Sequence, residues 1–218
     1  MNSIEIPSPS NLLLLMVALG LTPFFILMVT SYVKLVVVIG LVKNALGTQQ
    51  IPPNMVVNGL AIVLSVFIMA PTFRESYNIF QAQGVTSWNA ETLLPAATKS
   101  VEPFRQFLLK HTKPKDRVFF LRHLQKTWSA EAQVGLDDHH LLVLVPAFAV
   151  AELTSAFQIG FLLFLPFIII DLVVSNVLLA MGMMMVSPMT ISLPFKLLLF
   201  VLVNGWATLF QGVILTYQ

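Results

Sequence analysis

Residues 141–170 read LLVLVPAFAVAELTSAFQIGFLLFLPFIII, an apolar stretch that carries one charge, Glu152. A run of this length with almost no charge reads as helix that crosses or lies against a membrane. The pattern continues on its C-terminal side. Leu172 to Val186 holds no charge, and Ile191 to Tyr217 holds only Lys196. Pro146, Pro166, Pro188 and Pro194 argue against plain rods, because proline frees carbonyls that neighbours or water must then satisfy. Kinked or broken apolar helices follow.

Working outward, charge divides the chain. Of its Asp, Glu, Lys and Arg residues, all but Glu5, Lys34, Lys43, Glu152, Asp171 and Lys196 fall between Arg74 and Asp138. Residues 1–73 form an apolar N-terminal part, 74–140 a polar lobe, and 141–218 an apolar C-terminal part. The 218 residues are 57% apolar and 10% charged, against roughly 25% charged in a soluble domain. Mean hydropathy is +0.85. These values exclude intrinsic disorder, which needs low hydrophobicity and high net charge. A net charge of +2 with no gathered basic stripe argues against nucleic-acid binding. With no cysteine, disulfides, thiolate metal sites and cysteine nucleophiles are absent.

The N-terminal part holds two apolar runs, Leu12–Val42 and Met55–Phe73. A connector over residues 43–54 joins them, with Gly47 as a helix stop and Pro52-Pro53 as a barrier to continuation. As one helix the first run would reach roughly 46 Å, too long for a bilayer core of about 30 Å, and Pro23 is a candidate kink. It lacks a basic leader and carries Glu5, unlike a signal peptide. A hydropathy window over the whole chain gives about four spans. Lys43 in the short connector favours a cytoplasmic position for it, which puts the lobe on the periplasmic or extracellular side. In the lobe, Val101, Phe104 and Leu108 recur at helical spacing, as do Val118, Leu121, Leu124 and Trp128. Pro114 separates the two stripes, and each needs cover.

Lys34, Glu152, Asp171 and Lys196 each sit inside an apolar run, where an ion costs at least about 2.5–3.5 kcal/mol. Two bases and two acids can neutralise one another, within one chain or between copies. Snorkelling of the lysines to an interface is the bland alternative. A proton relay through Glu152 and Asp171 is a third, ranked lower because two lysines stand ready to hold the carboxylates ionised. Met181, Met183, Met184, Met185 and Met189 form a second concentration. On a helix, Met183 to Met185 cannot all face one core, since neighbours point about 100° apart. Core filling explains one or two of them. A deformable apolar collar around a pore explains the set.

No catalytic constellation, nucleotide motif or cofactor signature is present. Asp137-Asp138-His139-His140 reads as a solvated loop rather than a metal site, so no catalytic residue, metal ligand or cofactor is assigned.

Several of these stretches resemble the FliP/SctR family, the core export-gate subunits of flagellar and virulence type III secretion systems of bacteria. They are the connector KNALGTQQIPPN (43–54), LVPAF (144–148), ELTSAFQIGF (152–161), DLVV (171–174), MGMMM (181–185) and LPFKL (193–197). The resemblance covers roughly residues 12–73 and 141–217. The missing signal peptide looks more like the virulence branch.

The resemblance implies an all-α fold of membrane-associated helical hairpins with a small polar lobe, assembling into a helical ring. It implies a pentamer of this subunit in the bacterial inner membrane, within the secretion-system basal body and largely above the membrane plane. The implied partners are one related larger subunit (FliR/SctT-like), small two-helix subunits (FliQ/SctS-like), an FlhB/SctU-like switch protein, membrane lipid and unfolded export substrates. The family's methionine gasket falls on Met183, Met184 and Met185. Its largely intersubunit charge pairs fall on Lys34, Glu152, Asp171 and Lys196. Asn204 departs from the pattern, since relatives usually carry Asp there. The reading is a channel subunit and not an enzyme. Its rivals are a proton-coupled transporter using Glu152 and Asp171, and a purely structural membrane anchor.

Overall fold

The computed structural model describes residues 16–17, 20, 23, 26–48, 51–84, 90–129, 131–133 and 135–218, with the backbone alone for 90–94. Leu12, where the first apolar run starts, and Glu5 lie outside the described residues. The described helices are α1 (Tyr32–Ala45), α2 (Asn54–Ala82), α3 (Ala90–Ser100), α4 (Glu102–His111), α5 (Pro114–Thr127), α6 (Leu141–Ala180), α7 (Pro188–Leu202) and α8 (Gly205–Leu215). No strand occurs among the described residues, and the chain is all-α.

Helix α6 is the spine. Its 40 residues reach about 60 Å at 1.5 Å per residue, twice the bilayer core. Pro146 and Pro166 sit inside it without ending it. The one backbone bond lost at each proline of so long a helix is outweighed by the packing of α1 along its buried side. Asp171, which divides the apolar pattern into two runs, does not divide the helix.

Helix α1 lies between α2 and α6. Leu35, Val38, Ile39 and Val42 recur on its buried face and meet Val57, Ala61 and Ala156. Each large side chain so buried stabilises the fold by about 1.5–3 kcal/mol. Small residues allow the close crossing. A Cβ on Gly160 of α6 would stand 2.2 Å from Leu41 Cδ1 and 3.1 Å from Leu41 Cβ. Ser31 Oγ donates to Ser65 Oγ at 3.1 Å, which fastens the start of α1 to α2. The break before α1 spans Val29–Ser31.

The connector behaves as its residues dictate at its first turn. Gly47 takes φ +77° after α1 ends, the left-handed conformation that glycine accepts without strain. Lys43 is buried and donates to Asn54 Oδ1 at 2.8 Å, clasping α1 to α2. The charge on which the orientation reading rests is therefore a structural clasp.

The polar lobe is not detached from the apolar parts. Helix α2 runs without interruption past Phe73 to Ala82. Leu108 of α4 packs with Leu144 and Phe148 of α6 in a small second core, and Phe107 meets Phe148 with ring centroids 5.7 Å apart. Helix α3 is an addition to the two predicted lobe helices. Helix α5 packs on α6 but buries none of its own residues.

Among the described residues two helices, α2 and α6, are long and apolar enough to cross a membrane, and the pair α7 and α8, bent by 60°, is a third candidate. The apolar runs on either side of Asp171 merge into the single helix α6, and the start of the first apolar run lies outside the described residues. The bend falls at Asn204, the N-cap of α8, with φ 49° and ψ 46°. Asparagine is one of the few residues with a side chain that tolerate this left-handed region. Only 11% of the most apolar window of α6 is buried within the chain. The remainder of that surface needs lipid or protein.

Candidate functional site: two buried ion pairs and a methionine tip

Lys34 of α1 points into the seam between α1 and α6, where its Nζ stands 2.9 Å from Glu152 Oε1, both side chains being buried. The second carboxylate oxygen, Oε2, accepts the Tyr217 O–H. The Lys34 ammonium also lies 4.0 Å from the Tyr217 ring centroid. Ionic, hydrogen-bonded and cation–π contacts thus satisfy one buried cation and one buried anion together, which such ions require. Phe107 stacks on Tyr217, with ring centroids 6.0 Å apart. His111 meets Tyr217 edge-on at 5.0 Å. Lys110 Nζ donates to the Gln218 carbonyl at 3.0 Å. The segment after α8 is therefore tied both to the buried pair and to the polar lobe.

The second pair lies nearer the tip of the α6–α7 hairpin. Lys196 Nζ donates to Asp171 Oδ2 at 2.6 Å and to the Ala45 carbonyl at 3.2 Å. That carbonyl ends α1, where the helix dipole favours a cation. Ser192 Oγ donates to Asp171 Oδ1 at 2.6 Å. The lysine is buried while the aspartate side chain keeps 40% of its exposure, so this pair carries the smaller desolvation cost. One lysine holds three helices: α1 by a carbonyl, α6 by a carboxylate and α7 by its own backbone.

Both pairs close inside a single chain, where the resemblance places them largely between subunits. Glu152 and Asp171 stand nineteen residues apart along α6, roughly 28 Å at 1.5 Å per residue. Each carboxylate is bound to its own lysine. They do not form one relay.

Met183, Met184 and Met185 are not on a helix. They occupy the turn between α6 and α7. Gly182 ends α6 with φ +72°. Its N–H donates to Leu179 O at 3.0 Å, and the Met183 N–H donates to Leu178 O at 2.9 Å. This is the Schellman stop, which needs a left-handed residue at that position. Freed from helical spacing, the side chains splay outward, Met184 at 81% and Met185 at 100% exposure. Pro188 then opens α7 at a position where proline suits a helix start. The tip is apolar, flexible and uncovered by its own chain.

The loop before α6 is used for anchoring. Asp138 bridges to Arg117 Nη1 at 3.1 Å and to His139 at 3.6 Å. His140 Nδ1 accepts the Leu142 N–H at 3.3 Å and caps α6. Among the described residues no group of His, Asp and Glu is placed to hold a metal ion.

The sequence profile of the FliP family matches residues 15–213. The chain belongs to the FliP family. It is 50% identical to the pathogenicity-related ORF2 protein of Xanthomonas campestris pv. glycines, over 98% of this chain and 100% of that protein. It is 49% identical to the Yop proteins translocation protein R of Yersinia pestis, over 98% and 99%. It is 47% identical to the hypersensitivity response secretion protein HrcR of Ralstonia nicotianae, over 96% and 97%. Within the FliP family these relatives place the chain on the virulence, or injectisome, branch.

All seven singled-out residues are thus located: four charges in two intrachain pairs, three methionines at one tip. Reasoning from sequence missed Tyr217, Ser192 and the Lys43–Asn54 clasp. Tyr217 lies 65 residues from Glu152, and no local pattern joins the two. The stop at Gly182 was missed as well, although a glycine followed by Ser187-Pro188 is a signal that could have found the turn.

Proposed function

We propose that this chain is a channel-forming subunit of a type III secretion export gate, passing unfolded proteins across the bacterial inner membrane. One observation carries the reading. The chain neutralises Lys34, Glu152, Asp171 and Lys196 internally, yet leaves the apolar faces of α2, α6 and α7 and a methionine tip uncovered. Uncovered apolar surface on this scale calls for lipid or partner subunits. Sister copies, joined side by side around an axis as a pentamer, bury those faces. The related larger subunit, the small two-helix subunits and the switch protein cover what remains. The polar lobe faces the periplasm.

In such a ring the tips converge. Met183, Met184 and Met185 from successive copies form a soft collar that closes the pore to ions and yields to an extended polypeptide. Methionine suits this because its unbranched side chain repacks around varied partners. The chain transports without catalysing, and energy comes from partner proteins. The relay alternative finds no support in carboxylates that are far apart and separately paired.

The test is the triple variant Met183→Ala, Met184→Ala, Met185→Ala in the assembled gate. The expected result is ion leakage with normal assembly. An ion-tight gate with all three side chains removed refutes the collar and favours the structural anchor.

A further inference from the structure

Helix α5 presents a second kind of surface. Lys115, Val118, Phe119, Arg122 and Lys126 follow helical spacing and form one exposed stripe. With His123 they enclose a shallow cleft of about 270 Å³. Phe119 is 66% exposed in its centre. Asp116, the helix's acid, stands off the stripe. Arg117 lies on the other side of α5, where it is largely buried and bound to Asp138. The loop behind α5 is acidic. It carries Glu131 and Asp137, both exposed, next to the committed Asp138. Gln133 Nε2 fastens this loop to the end of α5 through the carbonyls of Gln125 and Trp128, each at 2.9 Å.

Among the described residues no ion pair joins the exposed cations Lys115, Arg122 and Lys126 to Glu131 or Asp137. Both sets of charges are therefore open to a neighbouring chain. Two different patches of opposite charge on one chain suit a head-to-tail contact, which closes a ring where the rotation allows. We infer that the α5 stripe of one copy docks the acidic loop, around Asp137 and Glu131, of the next copy. Charge complementarity sets the register of the lobes, and Phe119 supplies the apolar centre. This inference rests on the ring reading and extends it, because the seam lies in the lobe and uses none of the residues of the two ion pairs.

The absence of native cysteine makes a clean test. The full chain, expressed with its partner subunits, is given both Lys126→Cys and Asp137→Cys and treated with a short bismaleimide. The expected product is a ladder of covalent oligomers, with no ladder from either single variant. Adding Lys115→Glu and Arg122→Glu lowers the ladder roughly fivefold, in line with the modest worth of exposed ion pairs. A second pair, Arg122→Cys with Glu131→Cys, serves if the first does not assemble. Native mass spectrometry of the same samples separates the two claims. An intact ring without a ladder, or with the stripe cysteine joined to another protein, overturns the seam and leaves the ring. Loss of the ring in the unaltered chain overturns both.

Discussion

Lys34 Nζ and Glu152 Oε1 stand 2.9 Å apart across the seam between α1 and α6, in a buried site closed by Tyr217. The two residues are drawn from opposite apolar thirds of the chain. Their contact joins the N-terminal hairpin to the spine helix, and through Tyr217 it also holds the end of the α7–α8 arm. A buried ion without its partner is strongly destabilising, whereas removal of both can be nearly neutral.

For this reason Lys34→Met alone is expected to cost about 3–5 kcal/mol, and Lys34→Met with Glu152→Leu markedly less. Thermal unfolding of the purified complex in detergent measures both. Equal losses in the single and double variants would show that the ions do not depend on each other.

Tyr217→Phe removes one hydroxyl and keeps the ring over Lys34. The expected cost is about 1.5–3 kcal/mol, the value of a hydrogen bond to a charged group. Tyr217→Leu also loses the cation–π contact and the stacking on Phe107, so its melting temperature should fall further.

The α1–α6 crossing depends on the missing Cβ of Gly160. Gly160→Ala pushes against Leu41 Cβ and Cγ at 3.1 and 3.2 Å, and about 1–3 kcal/mol of overpacking is expected. Leu41→Ala in the same chain should recover part of that loss, and the double-variant melting curve reports it.

His111 supplies a pH dependence. Burial first, then the cations Lys34 and Lys110, lower its pKa from 6.5 to about 4. The folded state therefore resists a proton that the unfolded chain accepts. Stability is full above about 6.5 and falls as pH drops toward about 4. Docking of α4 on Tyr217 should loosen in that window. His111→Gln should flatten the profile of melting temperature against pH, and an unchanged slope would assign the dependence to other groups.

Much of this was legible in the chain because charges in apolar runs are rare and conspicuous. Lys34, Glu152, Asp171 and Lys196 announced themselves in that way. Which lysine meets which carboxylate was not legible, because it depends on how far α1 slides along α6, and packing of Ala156 and Gly160 decides that. The runs on either side of Asp171 were read apart yet form one helix, since a single paired charge interrupts a hydropathy pattern without interrupting a helix. The methionines were read at helical spacing, and the reading changed once Gly182 ended α6. Asn204 drew notice as a missing carboxylate, yet its visible role is conformational, turning α7 into α8.

The central claim is that sister copies cover the apolar faces that one chain leaves open around a route for export. Native mass spectrometry of the complex released in mild detergent tests it most directly. A discrete assembly holding five copies of this chain, with partner subunits bound, is the predicted result. A stable, solitary chain under those conditions would contradict the account.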